Sequence, residues 1–404
     1  MQSKRVIRLY YGFQFFFSLL LWLPVFYEFQ KRIGLSDPQI FSIQSIYYVA
    51  FCLLEIPTGM LADLFGYRKC LRGGALTLVV ANLLPIFAPS YSGFLAHFLL
   101  IALSRSFISG ASSAYLYEYT RQSNAAGEYK QIEGNARAYG LLGKVACWSA
   151  IGVLMEWHLT LPYWLTVLSA AVSVAFAWKL PALATEASML NRTSLQSPSI
   201  ASKLRSLGTT LAHAPFLLLL MFQGIAIFVL ARICQVNLFQ PILGAKSFGL
   251  ASYGAVMGLI TLFEALGSAR PGWVRRYFND LNAVFFLTFV MALSLGLIAY
   301  AGQAGTLVWL SVFSLATGFS FPIQRQLLND YIVDSSSRAT LLSVESIIDR
   351  AVCALVAPFM GSFLGRGRLD SFLILSAVLT MVAMVLLLVI LKLKPLATAR
   401  ESMS

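Results

Sequence analysis

The chain has few charged residues. Asp, Glu, Lys and Arg make up 12% of its 404 residues, whereas 58% are hydrophobic. Soluble domains carry about a quarter charged residues and about half apolar ones. The shortage of charge excludes an ordinary soluble protein and favours a chain that crosses a membrane many times. Since one spanning helix takes about 20 apolar residues, the length leaves room for roughly a dozen spans.

Histidine and cysteine are scarce too, at three His and five Cys. Their spacing fits neither a metal site nor a disulfide framework, and no serine or metal-ligand constellation surrounds the histidines. We therefore expect no metal, no cofactor and no enzymatic activity. A phosphate-binding loop of the form G-x-x-x-x-G-K-[ST] is also missing, so we do not expect ATP to supply energy.

Acidic residues are outnumbered, since 30 Lys and Arg against 17 Asp and Glu give a net charge of +13. Nucleic-acid binding would be one explanation. Membrane topology is the better one, because Lys and Arg concentrate in cytoplasmic loops. We expect the lipid bilayer, and no nucleic acid, as the partner of this surface.

Apolar runs separated by turn signals predict twelve helices, near 7–30, 38–63, 70–88, 92–120, 133–156, 160–180, 213–238, 249–271, 281–301, 305–328, 339–364 and 370–392. The sequence thus predicts an all-α membrane protein with twelve transmembrane helices in two six-helix halves. The predicted divisions are an N-terminal half over 1–180, a cytoplasmic linker over 181–212, a C-terminal half over 213–392 and a cytoplasmic tail over 393–404. Short internal similarities link the halves, with Leu54-Glu55 matching Phe263-Glu264 and residues 144–147 matching 350–353.

The loops on alternate sides of these spans differ in cation content. Most Lys and Arg fall on one side, while the other side carries only Lys31, Arg32, Lys246, Arg366 and Arg368. This bias predicts that both termini are cytoplasmic, as an even number of helices requires. We expect an integral multi-pass protein of the bacterial inner or plasma membrane, and a monomer.

One predicted cytoplasmic loop carries a dense set of charges and glycines. We call residues 59–71, which read GMLADLFGYRKCL, the motif loop. Gly59 allows close helix approach, and Gly66 can supply the positive φ of a tight turn. Asp63 can accept hydrogen bonds at a neighbouring helix N-terminus. Arg68 and Lys69 need acids nearby.

The motif loop resembles the loop that joins the second and third helices of major facilitator superfamily transporters, G-x-L-a-D-x-x-G-r-[RK]. The resemblance implies a secondary transporter that works by alternating access. It also implies that Asp63 and Arg68, with Glu118 at the cytoplasmic end of the fourth predicted helix, lock the inner gate of the outward-open state. The alternative is that Arg68 and Lys69 only set the topology.

Ionisable residues inside predicted spans are costly, so each is a functional candidate. The candidates for proton coupling or substrate binding are Glu55, Arg105, Ser109, Lys144, Arg232, Glu264, Arg325, Glu345, Asp349 and Arg350. Arg105 is either a cation that binds a substrate anion or holds a proton-coupling acid, or a member of a structural ion pair. For Glu55 and Glu264 the alternatives are a proton carrier and a structural hydrogen-bonding group.

The eleventh predicted helix has the most in-span charge. Glu345 and Asp349 are four residues apart on one face, where two bare carboxylates would repel. Either one of them is protonated, or Arg350 or Arg325 neutralises them. We favour a titrating switch over a fixed brace.

The expected function is proton-coupled secondary transport of a small molecule, and we favour efflux of a drug or metabolite by an antiporter. Exporters of the superfamily usually carry a Gly-Pro pair in the fifth helix, whereas residues 140–152 contain no proline and include Lys144. Proton-coupled import of a small anionic metabolite is therefore the alternative. A non-transporting membrane receptor is a third possibility.

Overall fold

The structure is a computed structural model that describes residues 2–123, 128–183, 215–331 and 335–393. These residues form helices, and they contain no strand. The first half of the chain forms α1 (Gln2–Ser18), α2 (Phe26–Arg32), α3 (Asp37–Phe65), α4 (Tyr67–Phe87), α5 (Tyr91–Gln122), α6 (Tyr129–Trp148), α7 (Ile151–Trp157) and α8 (Leu161–Lys179).

The second half begins with α9 (Pro215–Arg232), a π-helical turn (Ile233–Asn237) and α10 (Phe239–Ala245). It continues through α11 (Leu250–Ala269), α12 (Gly272–Arg275), α13 (Asp280–Ile298), α14 (Gln303–Tyr331), α15 (Ser335–Gly365) and α16 (Leu369–Leu393). The predicted linker and tail lie almost wholly outside the described residues.

The described residues confirm an all-helical membrane architecture. Ten helical segments among them are long and apolar enough to cross a membrane, and up to eleven if the bent pair α6 and α7 forms one span. The predicted second span coincides with α3, although the side chains of 59–65 are outside the description. The exact number of twelve spans stays a prediction.

The first predicted span is not continuous. After α1 the chain passes through a short 3₁₀ turn containing Pro24, which has no N–H to continue a helix, before α2 begins. The break leaves backbone groups without helical partners, and hydrocarbon offers them none. The Trp148 indole N–H donates to the Leu20 carbonyl at 3.0 Å, and the Leu21 amide donates to the Thr166 hydroxyl at 3.0 Å. Side chains of neighbouring helices therefore supply hydrogen-bond partners for these two backbone groups at the break.

The described residues pack into two compact units. The first comprises the described part of 1–195 together with 247–259 and 353–366. In it α5 packs against α3 and α4, while α8 packs against α1 and α4. The second unit comprises the described parts of 196–246, 260–352 and 367–404, and α13 packs there against α14 and α16.

Aromatic side chains form much of the core of the first unit. Trp22 is buried, donates its indole N–H to the Asn82 side-chain oxygen at 2.6 Å, and stacks on Tyr163 with ring centroids 5.8 Å apart. His97 is fully buried beside both rings and lies 2.7 Å from the Ala81 carbonyl oxygen through Nδ1. This histidine is a packing residue.

The first unit also joins segments from both halves of the sequence through very close helix contacts. A Cβ on Gly254 of α11 would collide with the Trp148 carbonyl oxygen, and one on Gly152 of α7 would collide with the first carbonyls of α11. The Glu156 carboxylate accepts from the Ala251 amide at 3.1 Å. Since that amide belongs to the first turn of α11, it has no partner within its own helix.

A second junction of the same kind joins α3 to α15. The Ser45 hydroxyl donates to the Ala354 carbonyl at 2.7 Å. A Cβ on Gly361 would meet Pro38 and Phe41 at 3.0 Å, so this glycine also permits the closest approach of the two helices. Glycine thus sets the distance at both junctions.

We predict that Gly254→Ala destabilises the protein, because the new methyl group must force α11 away from α6. Overpacking of this kind costs about 1–3 kcal/mol. The measurement is the melting temperature of the purified protein in detergent. The matched control is Gly249→Ala, five residues earlier, where a Cβ meets nothing within 4 Å. Equal melting temperatures for the two variants would contradict the close contact.

Candidate functional site

The turn of the motif loop has the geometry that its glycine predicts. Gly66 joins α3 to α4 with φ of +92°, a backbone conformation that side chains with a Cβ rarely adopt. Gly59 and Asp63 lie on the last turns of α3, and their side chains are outside the described part of the structure.

The cations after this turn bind the end of α8. Arg68 donates to the Leu180 carbonyl at 3.4 Å, and Arg72 donates to the carbonyls of Ala177 and Trp178 at 3.3 and 2.8 Å. The last carbonyls of a helix have no partner within it and carry partial negative charge. The sequence interpretation looked only for acids, and these carbonyls are a second kind of partner that it missed.

The predicted acid of the inner gate has a cation beside it on its own helix. Glu118 of α5 forms an ion pair with Arg121 at 2.9 Å, one turn further along. Lys69 is exposed at the start of α4. Glu118 lies in the last turns of α5, and the gating role of the motif loop stays a prediction.

Two candidates on α5 are exposed. Arg105 lies about halfway along this 32-residue helix and is exposed, as is Ser109 one turn later. A guanidinium at such a depth is too costly to place against hydrocarbon. We therefore expect this face of α5 to border water, whereas Ser112 on the next turn is buried.

Lys144, Glu55 and Glu264 are less exposed than these two residues. Lys144 of α6 holds its ammonium 5.8 Å from the centroid of the Trp148 ring, a cation–π contact. Glu55 of α3 and Glu264 of α11 are half-buried. Near Glu264, α11 crosses α14 closely, because a Cβ on Gly318 would collide with the Glu264 carbonyl oxygen.

The carboxyl pair of α15 is the most buried charge among the described side chains of the second unit. Glu345 is 2% exposed and Asp349 is 3% exposed. Each has its own arginine from another helix. Arg325 of α14 lies 3.6 Å from Glu345, and Arg232 of α9 lies 2.9 Å from Asp349. We call these four residues the α15 cluster.

The α15 cluster leaves part of each carboxyl group unsatisfied. Glu345 Oε1 and Asp349 Oδ1 are buried and have no hydrogen-bond partner within the described residues. The free oxygen of Glu345 lies over Gly224 of α9, where a Cβ would collide with it and with the Gln324 amide. Buried polar atoms are normally paired, so these two oxygens have capacity for a proton or a water molecule.

Arg350 binds the backbone of its own helix. Its guanidinium donates to the carbonyl of Ser346 at 3.1 Å. Because Arg350 directly follows Asp349, it lies about 100° around the helix from that carboxylate. Arg232, a candidate that the sequence did not pair with Asp349, lies 2.9 Å from that carboxylate.

A further acid escaped the sequence interpretation altogether. Glu133 lies in the first turns of α6, where it looks like a solvated residue at a span boundary. In the structure it accepts hydrogen bonds from Tyr10 of α1 and Ser113 of α5. The low charge of the chain draws attention to each acid. Nothing else in the sequence indicates that Glu133 pairs with Tyr10 and Ser113.

We predict that Arg232→Gln destabilises the protein at neutral pH by on the order of 3 kcal/mol, because it leaves the Asp349 carboxylate buried without its cation. The double variant Arg232→Gln/Asp349→Asn should recover most of the loss. Melting temperatures of the four proteins of this cycle in detergent provide the measurement.

The matched control for this cycle is Arg32→Gln, which breaks the pair of Arg32 with Glu28 at 3.1 Å. Both partners are partly exposed, so the loss should stay below about 1 kcal/mol. If Arg232→Gln lowers the stability no more than this control does, the buried pair does not contribute the stability that we assign to it.

Comparison with known proteins concerns the chain as a whole. No curated protein matches the chain. Among solved structures, the nucleoside transporter NupG is similar, with a TM-score of 0.74 and 15% identity, over 97% of this chain and 100% of that chain. An auto-inhibited POT family peptide transporter has a TM-score of 0.72 and 14% identity, over 95% and 96% of the two chains. These likenesses concern the fold.

The family itself follows from the sequence match. Residues 7–348 match the family model of the Major Facilitator Superfamily, which is most of the chain. The match agrees with the all-helical membrane architecture and with the glycine turn at the motif loop. The chain belongs to the major facilitator superfamily.

Proposed function

We propose that this protein is a proton-coupled transporter in which Glu345 and Asp349 of the α15 cluster carry the proton. Membership of the superfamily and the transporter folds of its structural neighbours support secondary transport. The single observation that supports proton coupling is the pair of buried carboxyls, each with one arginine and one unsatisfied oxygen.

The charge balance of the α15 cluster explains how a proton could change its structure. With both carboxyls ionised, two arginines and two carboxylates sum to zero. A proton on one carboxyl removes its negative charge, leaves the cluster with an excess positive charge and weakens that ion pair. Since the pairs join α15 to α9 and α14, their loosening alters how these helices are held together.

We expect water to reach this cluster from one side, because an exposed guanidinium within a span is too costly to place against hydrocarbon. The Arg325 side chain is 51% exposed, although its partner Glu345 is almost fully buried. The ion pair therefore bridges from a wet surface to a dry interior. Such a position allows a proton to be exchanged with solution while the carboxyl remains desolvated.

The motif loop supplies the second part of the proposal. Arg68 and Arg72 fasten the start of α4 to the end of α8, and Gly66 fixes the turn before them. We assign Asp63, Arg68 and Glu118 to the inner gate, where breaking and forming these contacts would accompany alternating access. The protein then works as a monomer in the inner or plasma membrane with both termini cytoplasmic.

Efflux of a drug or metabolite by proton antiport is the direction that we propose. Import of a small anionic metabolite is the second candidate. It is favoured by the exposed guanidinium of Arg105 at mid-helix, with the Ser109 hydroxyl one turn away. Both residues could bind a carboxylate or phosphate group of a substrate.

Reconstitution into liposomes tests coupling and direction together. Wild-type protein is given a panel of dyes, drugs, carboxylates, nucleosides and short peptides under an imposed pH gradient. An antiporter accumulates its substrate when the lumen is acidic, and a symporter accumulates it when the lumen is alkaline. Substrate accumulation that does not depend on the pH gradient would contradict the proposal. So would the absence of accumulation for every compound of the panel.

We predict that Glu345→Gln and Asp349→Asn lose gradient-driven accumulation but keep counterflow exchange of the same substrate. Each substitution removes the titrating group while it keeps the side-chain size. The control is Asp370→Asn, an exposed acid paired with Lys246 at 3.4 Å, which should keep both activities. Retained accumulation in the two α15 variants would rule out their proton-carrying role.

A further inference from the structure

A cavity lies between the start of α1 and the end of α8, away from the residues discussed for transport. Its volume is about 390 Å³, and it is lined by Lys4, Arg5, Arg8 and Leu9 of α1 and by Phe176 of α8. The three cationic side chains are exposed, and none of the described residues that line the cavity is acidic. We call these five residues the basic cavity, because they combine positive charge with an apolar wall.

The three cations of the basic cavity share one side of α1. Lys4, Arg5 and Arg8 lie within about 100° of one another around the helix axis. The opposite side of α1 packs in the hydrophobic core of the first unit through Tyr10 and Phe13. Like charges three or four residues apart on a helix repel each other. An anion that binds between these cations therefore relieves their repulsion.

The apolar wall of the basic cavity is a fixed part of the contact between α1 and α8. The Phe176 ring stacks on Phe16 with ring centroids 5.8 Å apart. It also lies so close to Gly12 that a Cβ on this glycine would collide with the ring. Leu9 is partly buried and packs against the same core as Phe176. The wall thus offers a firm apolar surface directly beside the cations.

Two features indicate the depth of the basic cavity in the membrane. Lys4 begins the first candidate span, and Lys179, one turn after Phe176, ends the span that α8 forms. Trp178 is 49% exposed, and the Arg72 guanidinium lies 5.1 Å from its ring centroid. Tryptophan side chains are enriched at the level of the lipid headgroups, and cations flank the spans there. The basic cavity therefore lies at the depth of phospholipid phosphate groups.

We propose that the basic cavity binds an anionic phospholipid. Lys4, Arg5 and Arg8 bind its phosphate group, and Leu9 and Phe176 contact the start of an acyl chain. Guanidinium groups bind phosphate through paired N–H donors, and basic pockets between membrane helices suit anionic headgroups. In the predicted topology the lipid belongs to the cytoplasmic leaflet. It links the first and the last predicted spans of the N-terminal half, and the site is independent of proton coupling at the α15 cluster.

Melting temperatures of the purified full-length protein in a non-ionic detergent test the proposal without a transport substrate. Three probes are titrated. Phosphatidylglycerol is an anionic lipid, phosphatidylcholine is a lipid without net charge, and glycerol phosphate is an anion without acyl chains. Phosphatidylglycerol should raise the melting temperature at concentrations at which the other two have little effect. It alone offers both the negative charge and the acyl chain that the cavity accommodates.

Variants decide whether this response arises at the basic cavity. The concentration of phosphatidylglycerol that gives half of the rise measures its apparent affinity. Arg8→Gln should weaken this affinity about fivefold and Lys4→Gln/Arg5→Gln/Arg8→Gln about 100-fold, because each cation near an anionic headgroup contributes a similar factor.

The matched control removes the same charge at another place. Arg137, Arg270 and Arg276 are exposed arginines on the same predicted side of the membrane, and they do not line the cavity. The variant Arg137→Gln/Arg270→Gln/Arg276→Gln has the same net charge as the triple variant of the cavity. It should bind phosphatidylglycerol like the wild type.

Four results would overturn the proposal. A wild-type protein that does not respond to phosphatidylglycerol has no such site. Equal stabilisation by phosphatidylcholine means that the headgroup charge is not recognised, and equal stabilisation by glycerol phosphate means that the site takes a free anion and not a lipid. Equal affinities in the two triple variants mean that the lipid binds elsewhere. If the triple variant of the cavity does not fold, Arg8→Gln is compared with Arg276→Gln in the same way.

Discussion

Charge that is buried far from water must be neutralised, and the Arg232–Asp349 and Arg325–Glu345 pairs show how this chain does so. The second unit could not place two carboxyls at 2% and 3% exposure without cations from neighbouring helices. That requirement ties α15 to α9 and α14. In our proposal, it also makes the packing of these helices sensitive to the protonation of either carboxyl.

Backbone polar groups that lie away from water need partners as well. Where α1 ends, an indole and a threonine hydroxyl from other helices replace the missing helical hydrogen bonds. At the end of α8, the guanidinium groups of Arg68 and Arg72 bind carbonyls that the helix leaves free. Irregular segments in this protein are thus held by polar groups from neighbouring helices, and each such contact is a point where a conformational change can be controlled.

The sequence predicts features whose causes are local. Helical membrane architecture follows from apolar runs, and the positive φ of Gly66 follows from a glycine in a short charged turn. Long-range partners are beyond such reasoning. Arg232 and Asp349 are 117 residues apart in the chain, and only the packing of α9 against neighbouring helices brings them together. Glu133 escaped notice because its hydroxyl partners come from two other helices, α1 and α5.

Infrared difference spectroscopy of the purified protein during acidification tests the central claim most directly, because a protonated carboxyl group has its own stretching band. Our account predicts that this band gains intensity in the wild type and that Glu345→Gln or Asp349→Asn removes part of the gain. Asp370→Asn serves as the exposed reference, because it shows the spectral change that the loss of a solvated carboxyl group causes. Spectral changes in the two α15 variants that are indistinguishable from that reference would contradict a proton switch in the α15 cluster.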